Sequence, residues 1–258
     1  MRKHVFLALL LVGVAAARPS VVVDPAEAAA AGKRIWQNEC SGTVDGLTSW
    51  NKGEEFPSLG IGHFIWYPQG YRGPFEESFP GLIEFLKARN CPPPAWLEGL
   101  KGCPWASREQ FLADYHGEKL RSLRLYLKDT VPQQTLYITE RMQSALPRML
   151  EACPKDQRER VEKRFHQVLS SPGGVYPLID YVNFKGEGIK ETERYKGQGW
   201  GLLQVLQLMD PGKPPLQAFS QAAEAALGAA GVAGAGAVAG GGLGGRKGWA
   251  FKGAIARS

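Results

Sequence analysis

With 258 residues and 44% hydrophobic side chains, the chain can fill the core of one large domain or two small lobes, which excludes a short peptide dependent on staples. The formal net charge is +6, a mild basic balance that suits attraction to an anionic polymer but is weak evidence by itself. The most basic helical stretch, Arg158 to Arg164, interleaves Glu159 and Glu162, so it is expected to be a solvated i,i+4 face and not a nucleic-acid patch.

Arg2 and Lys3 precede an uncharged apolar run from Val5 to Ala17 that ends in Ala15-Ala16-Ala17. This is the layout of a secretory signal over residues 1–17, and it predicts an exported protein, periplasmic or secreted. The run is shorter than the roughly 20 residues a bilayer span requires, so no stable membrane span is expected after cleavage. Removal of Arg2 and Lys3, with no acidic residue lost, takes the charge from +6 to +4.

Residues 18–31 are expected to be a flexible entry. Lys33 to Glu39 predicts a short helix with Ile35 and Trp36 apolar and Gln37 and Asn38 polar. Gly42 to Gly62 alternates small, polar and apolar residues with several glycines, the pattern of a hairpin and the one convincing β region. From Phe75 onward the spacing turns helical, with Phe79, Leu82, Ile83 and Leu86 on one face. Ser107 followed by Gln110 predicts a capped helix running to about Asp129, ended by Pro132. Further helices are predicted near 133–152, 155–170, 176–184 and 199–209, with Pro147 bending the first of these. Beyond Pro215 the composition becomes Ala and Gly, and no charge occurs from Ala225 to Gly245. A low-complexity tail is expected over 216–258. The predicted class is α+β, mostly α-helical with a small β hairpin near the N-terminus: a domain over 32–215 with a hairpin lobe at about 40–67 and a helical lobe at about 75–215.

Cys40, Cys91, Cys103 and Cys153 form an even set in an exported chain, which favours disulfides over metal ligands. Three connectivities are possible. Cys91 and Cys103 flank a short proline-led loop whose closure would stabilise by roughly 3 kcal/mol, leaving Cys40 with Cys153.

Acid catalysis of glycosidic cleavage requires a carboxylic acid kept protonated in a partly apolar pocket. Glu39, with Ile35 and Trp36 nearby, meets that description. Glu39, the hairpin and Ser58-Leu59-Gly60-Ile61-Gly62-His63 together resemble the glutamate, hairpin and Thr-Ile-Gly-Ile-Gly-His segment of phage-type lysozymes, over about 30 residues of the sequence. The resemblance implies a lysozyme-like fold with Glu39 as general acid, Ser58 at the threonine position offering a hydroxyl, and His63, Gly60 and Gly62 as structural residues of the hairpin end. The family's aspartate has no counterpart: Lys52 falls near its place, with Asn51, Glu54 and Glu55 around it. Glu54 is ranked ahead of Glu55 as a second group orienting a water. A lytic transglycosylase, in which one acid/base suffices, is the other form of the reaction.

Asp180 to Gly188 and Tyr195 to Gln204 are rich in amides and aromatics of the kind that line sugar clefts. Tyr181, Asn183, Gln204 and Trp200 are the substrate-binding candidates, and Gly201-Leu202-Leu203-Gln204 is faintly similar to the Gly-Leu-Met-Gln element of lytic transglycosylases. No HExxH, paired C-x-x-C or clustered histidine appears, so no metal and no cofactor are expected. G-x-S-x-G is absent too. The sequence is therefore expected to encode an exported glycosidase cleaving peptidoglycan, as muramidase or lytic transglycosylase. The rival is a noncatalytic wall-glycan binder of the same fold, and a hydrolase of another amino-sugar polymer is a third reading.

Overall fold

The structure, a computed structural model, describes residues 22–229 apart from positions 74 and 196. The expected signal over 1–17 and the tail from 230 onward lie outside the described residues. Nine α-helices and two small antiparallel sheets occur among the described residues, so the class is α+β and mostly helical.

Helix α1 covers Pro25–Glu39, which corrects the flexible entry assigned as far as residue 31. Asp24 caps it, its carboxylate accepting from the backbone N–H of Ala26 at 2.7 Å and of Glu27 at 3.3 Å. Pro25 then occupies the first turn, where its missing N–H costs nothing. Gly32 lets α1 approach α5 (Val131–Ala152) closely, since a Cβ there would collide with the Thr135 side chain. Helix α5 runs through the middle of the molecule and buries Ile138, Met142, Ala145 and Met149 along one stripe.

Strands β1 (Thr48–Ser49), β2 (Ser58–Leu59) and β3 (Phe64–Ile65) form an antiparallel sheet in sequential order. Thr48 pairs with Leu59, and Leu59 with Phe64. Helix α2 (Phe79–Lys87) follows, burying the expected Phe79, Leu82, Ile83 and Leu86.

The single helix expected from Ser107 to Asp129 is two, α3 (Arg108–Ala113) and α4 (Glu118–Asp129). Ser107 does cap α3 through Gln110 N at 3.4 Å. The chain then turns at Asp114, where Gly117 N bonds Asp114 O at 2.8 Å, and Asp114 Oδ2 is held by Trp105 Nε1 at 2.9 Å. Pro132 begins α5 rather than merely ending its predecessor.

Helices α6 (Arg158–Leu169), α7 (Val175–Lys185) and α8 (Leu202–Leu208) fall close to their predicted positions. Between α7 and α8 lies a second hairpin, β4 (Arg194–Tyr195) with β5 (Gln198–Gly199), not expected from the sequence. Helix α9 (Pro215–Ala229) replaces the first part of the expected low-complexity tail. Its Ala218, Phe219, Ala222, Ala223 and Ala226 are buried at helical spacing, with Phe219 edge-on to Tyr181 at 5.8 Å. Small alanines allow close helix packing, so the alanine-rich composition here belongs to the core.

Neither expected disulfide is present. All four cysteines are unbridged, and three of them take part in side-chain hydrogen bonds. Cys40 Sγ donates to Gly60 O at 3.7 Å, Cys91 Sγ to Arg89 O at 3.6 Å, and Cys153 Sγ accepts from Gln207 Nε2 at 3.8 Å. Burial pushes the Cys103 thiol up to about 12. An even number of cysteines carries no information on the narrow geometry a bridge demands.

Candidate active site

Glu39 is the last residue of α1, and its side chain is 16% exposed. That position is neither bulk water nor a sealed interior. Glu39 Oε2 stands 3.8 Å from His63 Nδ1, whose side chain is 7% exposed. The His63 ring lies edge-on to Phe184 at 6.0 Å.

Three helices hold the turn that carries His63. Gly60 has φ +67 and His63 φ +48, both in the left-handed region where glycine is at ease and other side chains are strained. A Cβ on Gly60 would also fall on Gln134 Oε1, which accepts from Ile61 N at 3.0 Å. Gln134 of α5 is itself buried and donates to Leu127 O at 2.6 Å. From α7, Asn183 Nδ2 donates to Gly62 O at 2.9 Å. From the end of α1 comes the Cys40 thiol already described. A Cβ on Gly62 would strike the Phe64 ring, so this glycine serves packing.

Helix α7 adds polar groups at Tyr176, Asp180 and Asn183, spaced to lie along one face. Tyr176 OH accepts from Asn38 Nδ2 at 2.8 Å, and the Arg34 guanidinium sits 5.1 Å from its ring centre. Burial pushes the Tyr176 hydroxyl above the usual phenol range, and the Asp180 and Glu39 charges add to that, against the Asn38 bond. Burial pulls the Lys185 ammonium below the usual lysine range, while Asp180 and Glu39 hold it up. Asp180 is itself buried. Thus Tyr176 and Lys185 feel the Glu39 charge, Asn38 and Asp180 act on those two, and none of the four was among the expected site residues. The available signal was a run of polar residues at helical spacing inside an otherwise apolar helix.

Several expected site residues serve other ends. Tyr181 is fully buried, its hydroxyl donating to Trp200 O at 2.7 Å, and Trp200 is only 4% exposed; both are core. Gln204 accepts from Gly201 N at 3.0 Å and donates to Gly188 O at 3.0 Å, fastening the start of α8 to the preceding loop. Ser58 is 0% exposed, and its buried hydroxyl has no hydrogen-bond partner among the described residues; it is not offered to a surface. Glu54 sits in the β1–β2 loop, at the other end of β2 from His63. Its Oε2 accepts from Asn51 Nδ2 at 3.1 Å, and its carbonyl accepts from Trp50 Nε1 at 2.7 Å. Of the predicted set, Glu39, His63, Gly60, Gly62 and Asn183 come together.

Among the described residues no group of three or more His, Cys, Asp or Glu side chains is arranged to hold a metal ion. No helix among them is long and apolar enough to cross a membrane. No family model, curated protein or solved structure matches the chain.

Proposed function

We propose that this chain is an exported, lysozyme-like enzyme that cleaves the glycan strand of peptidoglycan, with Glu39 as general acid. The observation that carries the reading is the partly exposed Glu39 carboxyl at a helix end, 3.8 Å from the imidazole of the Gly-Ile-Gly-His turn. Proton donation to a leaving glycosidic oxygen requires a carboxyl group within reach of substrate. His63 and Asn183, at the same turn, position the wall against which a sugar ring would lie.

The lytic transglycosylase form fits better than the hydrolytic one, because Glu54 is tied into its own loop and exposed Lys52 falls near the place of the family's aspartate. In that form Glu39 donates its proton to the leaving oxygen, then accepts one from the sugar hydroxyl that closes the anhydro ring. Incubation of the purified protein with wall sacculi is expected to release soluble muropeptides with anhydro ends by mass spectrometry. Glu39→Gln is expected to abolish release while still sedimenting with sacculi. The second reading, a noncatalytic wall binder, is favoured by the same lack of a partner carboxylate at Lys52. It predicts sedimentation without release by the parent protein as well.

A further inference from the structure

Apart from the Glu39 group, a cavity of about 370 Å³ opens between the turn Asp45–Leu47 and helix α4, lined by Val44, Asp45, His116, Arg121, Arg124 and Leu125. Arg124 is buried, unusual for an arginine unless its charge is used. Its Nε donates to Thr48 Oγ1 at 2.8 Å and one terminal nitrogen to Tyr115 O at 2.6 Å, with the guanidinium 4.1 Å from the Tyr115 ring centre. These contacts fix the plane of the group. They spend two of its five N–H donors. The other terminal nitrogen stands 3.8 Å from Asp45 Oδ1, beyond hydrogen-bond reach. Arg121, one turn earlier on α4, and the exposed imidazole of His116 add donors to the same walls. Two guanidinium groups therefore face one carboxylate.

We propose that this cavity binds a small oxyanion, a carboxylate or a phosphate, on the unspent N–H groups of Arg124 with Arg121 closing over it. A planar, immobilised guanidinium loses little freedom on binding and matches the two oxygens of either group. Asp45 is 70% exposed and is the built-in competitor: its carboxylate approaches the same nitrogen an incoming anion would take. The inference does not depend on the role given to Glu39.

The test is isothermal titration of the full chain with inorganic phosphate and, separately, with acetate at constant ionic strength. Saturable binding of one equivalent is expected, and the tighter of the two anions identifies the source. Arg121→Gln is expected to weaken it about tenfold and Asp45→Asn to tighten it severalfold, about the effect of one added or removed charge-assisted contact. Arg121 and Asp45 are both exposed, so these variants should fold. Absence of saturation by either anion, or affinities unchanged in both variants, overturns the proposal.

Discussion

The turn Gly60–His63 and the loop Trp50–Pro57 flank the same two-residue strand, yet they are held in different ways. Groups from α1, α5 and α7 fix the turn. The polar groups of the loop bond one another at Trp50, Asn51 and Glu54, while from outside Arg108 Nε donates to Trp50 O at 2.8 Å, Trp66 N to Pro57 O at 3.4 Å, and Phe56 packs edge-on against Tyr67 and Phe75. The turn takes its position from the helical body, whereas the Glu54 carboxylate on the loop accepts from Asn51 of the same loop. Chemistry that needs a fixed geometry is better served by the first arrangement.

The largest expected effect that would sharpen this contrast is on activity. Glu39→Gln should lower muropeptide release by about 10²–10⁴, the usual contribution of a positioned acid, while Glu54→Gln should leave it within about a factor of three. A complete loss in Glu54→Gln would break the contrast by making the loop part of the chemistry. Next comes stability of the turn. Gly60→Ala must force a left-handed Cβ against Gln134, and a loss of about 3 kcal/mol is expected in urea unfolding. Gln134→Leu leaves Ile61 N without its buried acceptor and should cost about 2 kcal/mol. Asn51→Ala, which removes only a partly exposed loop bond, should cost under about 1 kcal/mol.

A separate effect concerns pH and lies away from both segments. The Cys103 thiol is pushed by burial from an ordinary 9.0 up to about 12. The unfolded chain therefore ionises first, so the stability this thiol contributes is complete below pH 9.0 and is lost as pH rises through about 12. Cys103→Ala should be destabilised at neutral pH but show a shallower decline above pH 9.0 in thermal unfolding.

Much of this arrangement was legible in the residues. The helix ending at Glu39 and the glycine-spaced turn at 60–63 carry strong local signals, and so do the helices after Pro132, because hydrophobic spacing is a local property. Exposure was not legible. Helix α7 is buried from Val175 through Val182, so the polar Tyr181 gave no hint that it faces Trp200 and Phe219. Gln204 looked like a ligand-binding amide because a cap and a cleft residue have the same chemistry. The lysozyme resemblance pointed to a hydroxyl at Ser58 offered to substrate, but that hydroxyl is buried. The cysteines pointed to bridges because their number says nothing about direction.

Helix α9 sets where this protein can be cut. Trimming the chain at Pro214, the natural choice from composition, would strip Phe219 from Tyr181 and leave an apolar trough over α6 and α8, against which α9 packs. A shortened polypeptide meant for crystallisation or assay should keep every residue to Ala229; one that stops earlier is expected to aggregate on expression.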